Sequence, residues 1–207
     1  MKLALLGATG RTGRLLVDQA LERGHTLTLL ARDPGGLHVQ QDRVTVVRGD
    51  ARDAAVYPEL LHGAGAVLSA LGPVKGGSHD VMTLAARHLA GASAAQQVVR
   101  LVTLTGAGVP HPGDTPKLID RAIRGLLRLT QPAVLADAVR HAEIVRASTL
   151  AWTVVRVPRL TDGPDRAVLA GRVGTIRPFI TRASAAHFML DVLSDPDMVG
   201  QAPAISN

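Results

Sequence analysis

Cysteine is absent from all 207 residues. Disulfides, thiolate nucleophiles and thiolate-bound metals are thereby excluded. Aromatic residues are nearly as scarce, with one Trp, one Tyr and two Phe. The core must therefore be mostly Leu, Val and Ala, and interleaved aromatics that could stack on nucleic-acid bases are missing. No apolar run approaches the roughly 18–20 residues of a membrane span. The N-terminal apolar stretch runs straight into glycines without a signal-peptide layout. H-E-x-x-H and G-x-S-x-G do not occur, and the Asp and His residues show no metal-ligand spacing, so no metal is expected. Together these absences point to a cytoplasmic chain with no membrane partner.

What is present suits one α/β domain. The length fits a single domain over 1–207, and 46% hydrophobic residues can bury a core. The net charge of +6 comes almost entirely from Arg, which outnumbers Lys 20 to three. These charges are scattered and form no basic tail, so nucleic acid is not expected. The densest group, Arg121, Arg124 and Arg128, has helical spacing. It reads as a solvated stripe or as a surface for an anionic partner.

The most informative run is Leu3-Ala4-Leu5-Leu6-Gly7-Ala8-Thr9-Gly10-Arg11-Thr12-Gly13-Arg14. A short apolar strand enters glycines spaced G-x-x-G-x-x-G, and an amphipathic helix follows from about Arg11 to Arg23. Glycine permits the tight turn and the close approach of backbone to a pyrophosphate, and the helix N-terminus presents free N–H groups to it. A second strand, Thr26 to Ala31, arrives at βαβ spacing and ends in Arg32-Asp33. An Asp or Glu there would bond a ribose 2′-hydroxyl; a guanidinium instead fits a 2′-phosphate. Arg11 can add a second positive group. The expected cofactor is NADP(H), with NAD left open by Asp33.

Further strands are expected at Val44–Arg48, Ala66–Leu71, Val98–Thr105 and Trp152–Val157, alternating with helices near 54–61, 79–92, 117–129, 133–148 and 183–193. A short strand is expected at Arg172–Ile176, with irregular chain over 158–164. Near-continuous apolar strands alternating with helices imply a Rossmann-type doubly wound parallel sheet, with small C-terminal substrate-site elements. Ligands in such sheets bind beyond the carboxyl ends of the strands. The cofactor-site candidates are therefore Gly7, Thr9, Gly10, Arg11, Thr12, Gly13, Arg32, Asp50, Ala51, Leu71, Gly72 and Thr105. Asp50 could accept from an adenine amino group or serve as a helix cap. Thr105, at its strand tip, could contact nicotinamide or substrate, or be there as a strand former. Asp137 and His141, one helical turn apart, read as a helix-surface ion pair. His187, ahead of an apolar run, reads as structural.

The loop GATGRTG, Ala31-Arg32-Asp33, Val46 to Asp50, Ala66 to Gly72 and the Trp152–Pro158 strand resemble the atypical short-chain dehydrogenase/reductase group. With the stretch from Ile180 to Leu190, they are most similar to its NADPH-dependent flavin reductase/biliverdin-IXβ reductase-like members. The resemblance covers nearly the whole chain. Many relatives use Tyr-x-x-x-Lys as a proton relay, whereas the one tyrosine here, Tyr57, is followed four residues on by Leu61. The favoured branch has Ser after the fifth-strand Thr and His after the proline of the sixth-strand loop; here these are Gly106 and Arg159.

The resemblance thus implies direct hydride transfer to a flavin, quinone or tetrapyrrole, by a monomer or small homo-oligomer. The catalytic candidates are Thr105, His111 and Arg159. Arg159 would stabilise the developing anion or be a surface salt-bridge partner; His111 would titrate near neutrality or be an exposed loop residue. The alternative function is a non-catalytic NADP(H)-sensing regulator.

Overall fold

The computed structural model describes residues 1–37, 42–73 and 77–207. Its frame is an eight-stranded sheet in the order β3-β2-β1-β4-β5-β6-β10-β8. The strands are β1 (Lys2–Leu6), β2 (Thr26–Ala31), β3 (Val44–Arg48), β4 (Ala66–Ser69), β5 (Arg100–Gly106), β6 (Ala151–Val157), β8 (Leu169–Gly171) and β10 (Ala204–Ser206). All neighbours pair in parallel except β10 with β8. β7 (Arg159–Thr161) and β9 (Phe179–Thr181) form a separate parallel pair. The helices are α1 (Arg11–Glu22), α2 (Tyr57–Leu61), α3 (Val81–Ala95), α4 (Leu118–Thr130), α5 (Pro132–Ala147) and α6 (Arg182–Asp191). This is the doubly wound Rossmann-type fold that the alternation implies.

Alternate strand residues face opposite layers, as a period of two requires. Ala4 and Leu6 join the core beneath α2, α3 and α5; Leu3 and Leu5 join the one beneath α1 and α6. In α1 the buried positions Thr12, Gly13, Leu16, Val17 and Ala20 make one stripe. The helix stops where Gly24 turns to φ +79°. There Gly24 N–H donates to Leu21 O, and His25 N–H to Ala20 O, closing a Schellman motif.

Three readings need correction. The C-terminal edge strand is Leu169–Gly171 and not Arg172–Ile176. Arg172 to Thr175 is a turn, in which Thr175 N–H donates to Arg172 O and Gly174 takes φ +103°. The stretch 158–164 is also not wholly irregular, since β7 lies in it. Asp137 and His141, finally, are not a surface pair: they are 8% and 2% exposed. The Asp137 carboxylate accepts from Met82 N–H at 3.1 Å and Thr83 N–H at 2.8 Å, capping α3 from a neighbouring helix. The His141 ring lies between Met82 O and Thr103 Oγ1, each at 3.0 Å.

Candidate functional site

β1 is flanked by β2 on one side and β4 on the other, so the strand order reverses beside it. A cavity of about 700 Å³ opens at the carboxyl ends of the strands at this switch point. Gly7, Thr9, Gly10, Arg11 and Thr12 form its floor. Gly7 has φ +81°, and a Cβ on it would stand 2.8 Å from Ala70 carbonyl atoms. A Cβ on Gly13 would lie 1.9 Å from Gly7 O, so helix and loop touch only because that carbon is missing. Gly10 leads into α1 without a side-chain cap, and no acidic residue stands in the first turn. The first N–H groups of α1 are thus left for an anion.

Beyond β2 and β3 the cavity is bordered by Arg32, Asp50, Ala51 and Arg52. Arg52, which sequence reasoning overlooked, grips Asp50 through Nε at 3.0 Å and Nη2 at 2.9 Å. That contact and Asp50's acceptance of Arg52 N–H hold the carboxyl down at about 2. Asp50 therefore presents a carboxylate already engaged by a guanidinium, while Asp53 caps the following 3₁₀ turn through Ala55 N–H. Tyr57 is fully buried beneath this end and donates to Ala51 O at 2.6 Å. Burial, with the Asp50 charge, pushes its phenol up, away from any proton transfer near neutrality. The sole tyrosine is a strut for the cavity wall.

At the β4 and β5 tips stand Leu71, Gly72, Thr105 and Gly106. Among the described residues, its chain neighbours apart, nothing lies within 4 Å of a Cβ built on Gly72, so ligand can approach its backbone. Thr105 is 4% exposed, and its Oγ1 has no hydrogen-bond partner among the described residues. A buried hydroxyl left single at a cavity wall fits a ligand that completes it. The opposite wall is Leu127 from α4, Gln131, and Val134, Leu135 and Ala138 from α5. Val134 and Ala138, four apart on one face of α5, carry no ionisable group. They offer no proton.

All the cofactor-site candidates except Gly13, which backs the loop, line this one cavity; His111 and Arg159 do not. Arg159 is exposed and alternates outward between Pro158 and Leu160, which do line it. His111 packs in a second cluster, where its N–H donates to Asp114. Burial and the neighbouring Arg146 and Arg156 charges lower its basicity. The cation facing the cavity from the C-terminal elements is Arg182, at the first turn of α6, paired with Asp162 at 2.6 Å. Asp162 also reaches Arg11 at 3.9 Å. Sequence offered one faint signal for Arg182, an arginine immediately after the N-capping Thr181.

Residues 7–196 match the family described as NAD(P)H-binding. The chain belongs to that family. Its cofactor is thus a nicotinamide dinucleotide, as the glycine loop implies. Solved structures with the same fold include ChuY, an anaerobilin reductase from Escherichia coli, at 18% identity and TM-score 0.83, covering 100% of this chain and 97% of that one. The oxidoreductase YlbE from Lactococcus lactis is 17% identical, with TM-score 0.81 and coverage of 100% and 91%. A short-chain dehydrogenase/reductase from Veillonella parvula in complex with NADP is 17% identical, with TM-score 0.78 and coverage of 100% and 94%. Among the described residues, no cluster of His, Asp and Glu could hold a metal ion, and no helix is long and apolar enough to cross a membrane.

Proposed function

We propose that the chain is an NADPH-dependent reductase passing hydride directly to a planar acceptor, a flavin, quinone or tetrapyrrole. The observation that carries this is the pairing, within one cavity, of an uncapped glycine-loop helix with an inner wall of Leu127, Val134, Leu135 and Ala138. Such a wall suits a flat apolar ring, and Thr105 brings a buried hydroxyl to the same cavity. The name of ChuY supports the tetrapyrrole class and the NADP in the Veillonella parvula structure supports the phosphorylated cofactor.

The dinucleotide fits the residues present: the first-turn N–H groups of α1 await an anion, and the Thr105 hydroxyl awaits a partner. Bound NADPH would supply the hydride. The α1 N-terminus and the glycine loop would hold the pyrophosphate, and Arg32 and Arg11 the 2′-phosphate. Gly72 leaves room beside its backbone for a ribose. Thr105 would orient the nicotinamide carboxamide or an acceptor carbonyl, while the aliphatic α4 and α5 wall excludes water from the ring face. An acceptor of this class takes hydride at an electrophilic ring atom and needs no strong acid, so its proton can come from solvent. Arg182 is the cavity-facing cation available to a developing anion; Arg159, at the rim, and His111, in its own cluster, are not assigned to the reaction.

The test is NADPH oxidation against FMN, FAD, riboflavin, quinones and biliverdin, with Arg32→Ser in parallel. At least one acceptor should drive turnover. Arg32→Ser should raise the NADPH Kd roughly tenfold or more, the loss of one charge-assisted bond, and leave NADH nearly unchanged. Silence across the panel despite tight NADPH binding would overturn the reductase reading in favour of a sensing role.

A further inference from the structure

Among the described residues, four arginines line the cofactor cavity, Arg11, Arg32, Arg52 and Arg182, against one acid, Asp50. Asp50 is taken by Arg52. The proposed dinucleotide uses Arg32 and Arg11 for its 2′-phosphate and the α1 N-terminus for its pyrophosphate, which leaves Arg182 over. Its place in the fold sets it apart as well. Arg32 and Arg52 stand beyond β2 and β3, whereas Arg182 begins α6 directly after β9, whose partner β7 supplies the cavity residue Leu160. A dinucleotide with its 2′-phosphate at Arg32 points its nicotinamide away from β2, toward the tips of β4, β5 and β6. Arg182 therefore belongs to the acceptor's half. There α5 packs in one helix layer and α6 in the other, so the cavity is aliphatic on one side and carries a guanidinium on the other.

The Arg182 side chain is 9% exposed, rare for an arginine. Its Nη1 donates to Asp162 at 2.6 Å, and among the described residues its Nε and Nη2 have no partner. Asp162 is 77% exposed and does not line the cavity. A pair so open to solvent on one side contributes little. The backbone beneath the arginine is fixed. Thr181 caps α6 by accepting from Ser184 N–H, while Asn207 accepts from Thr181 N–H at 3.2 Å and donates to Ser184 Oγ at 2.7 Å. A guanidinium held in place with its Nε–Nη2 edge unused matches an oxyanion, which accepts two parallel N–H bonds.

We infer that Arg182 binds a fixed anionic group on the acceptor, so that the preferred substrate is a flat apolar ring bearing a carboxylate or a phosphate. The ring lies against the α4 and α5 wall while its oxyanion meets the Nε–Nη2 edge. This rests on the reading of the cavity as a reductase site and narrows it, since neutral rings leave Arg182 unused. A charge that develops during hydride transfer would also meet Arg182, but a ground-state ion pair acts before any transfer, and binding measures it.

Binding would be measured on the full chain saturated with NADP⁺, where no hydride is available. Two matched pairs serve as probes: FMN against riboflavin, which lacks the phosphate, and biliverdin against its dimethyl ester, which lacks the carboxylates. Fluorescence anisotropy of the flavins and absorbance of the tetrapyrroles give each Kd. At least one anionic member should bind about tenfold or more tightly than its neutral partner, as one charge-assisted contact implies, and added salt should narrow the gap. The pair that shows the preference tells phosphate from carboxylate. Arg182→Gln should bring that ratio close to one, with thermal melts confirming the fold; should it not fold, Arg182→Met supplies the same comparison. No binding of either anionic member, equal affinity within both pairs, or a preference that Arg182→Gln leaves intact would overturn the inference. So would a loss of NADP⁺ affinity as large as the loss for the anionic acceptor, which would assign Arg182 to the cofactor. The reductase reading fails separately, if NADPH oxidation stays silent while an anionic acceptor binds through Arg182.

Discussion

Replacing Asp114 should cost the protein a large share of its stability. Arg156 lies in the middle of the sheet at 0% exposure. Its guanidinium donates to both Asp114 oxygens, at 2.6 and 2.9 Å, to Ala202 O at 2.8 Å and to Val109 O at 3.2 Å. The Asp114 carboxylate also accepts from His111 N–H and Val173 N–H, so it ties the loop after β5 to the turn after β8. Burial alone would raise that carboxyl, but Arg156 and the two N–H groups more than reverse this and hold it below the ordinary value. Asp114→Ala strands a buried cation, which costs about 3–5 kcal/mol. For a domain of this size that lowers Tm by about 10 °C.

Replacing both partners by apolar residues, Asp114→Leu with Arg156→Met, should recover much of the loss, because no charge is left unpaired. It should not recover all, since the His111 and Val173 N–H groups lose their acceptor. Urea denaturation of the three variants measures these differences. A loss below about 1 kcal/mol for Asp114→Ala, or a double variant no better than the single one, would refute the account of a buried pair needing its partner.

Two further outcomes follow from the geometry. Gly13→Ala forces a methyl carbon to within 1.9 Å of Gly7 O and must open the glycine loop; NADPH fluorescence titration should show affinity falling on the order of a hundredfold, about 2.7 kcal/mol, and unchanged binding would contradict the packed loop. His141 is buried, which lowers its basicity and keeps it neutral in the fold. The unfolded chain then takes up a proton that the native state does not, so stability is full above the ordinary histidine range and falls as pH drops below about 6.5. His141→Gln should flatten that part of the stability profile, which urea midpoints at pH 5 to 8 would reveal.

How much of this could be read in advance depended on whether the deciding contact was local. The turn from Leu6 to Gly13 is specified within a dozen residues: apolar strand, glycines where carbon would collide, then an amphipathic helix. The end of β2 at Arg32 is similarly local. Asp137 is the opposite case. Its position four residues before His141 suggests a surface pair, yet its partners are N–H groups more than 50 residues away. Only the packing of α5 against α3 creates them. Arg156 likewise looks like the polar member of an alternating strand and is in truth wholly buried, because Asp114 reaches it from a separate loop. β10 escaped notice for a related reason. Three residues, Ala204 to Ser206, carry too little pattern to announce a strand, and its place between β6 and β8 comes from sheet geometry. Arg159 turns outward by one-residue alternation: in a strand as short as β7, a single step decides whether a side chain meets the cavity or solvent.

Asp162 gives the site a property that a count of its cations would miss. It holds Arg182 and leans toward Arg11, so two cations lining the cavity share an exposed counter-ion. A dinucleotide phosphate arriving at the glycine loop would compete with that carboxylate for Arg11 rather than meet bare positive charge. Cofactor affinity would then reflect the difference between two ion pairings, both weakened as salt is added. Cofactor binding should therefore vary with ionic strength less steeply than its arginines alone would imply, and the loop that bears Asp162 becomes a ballast against adventitious anions.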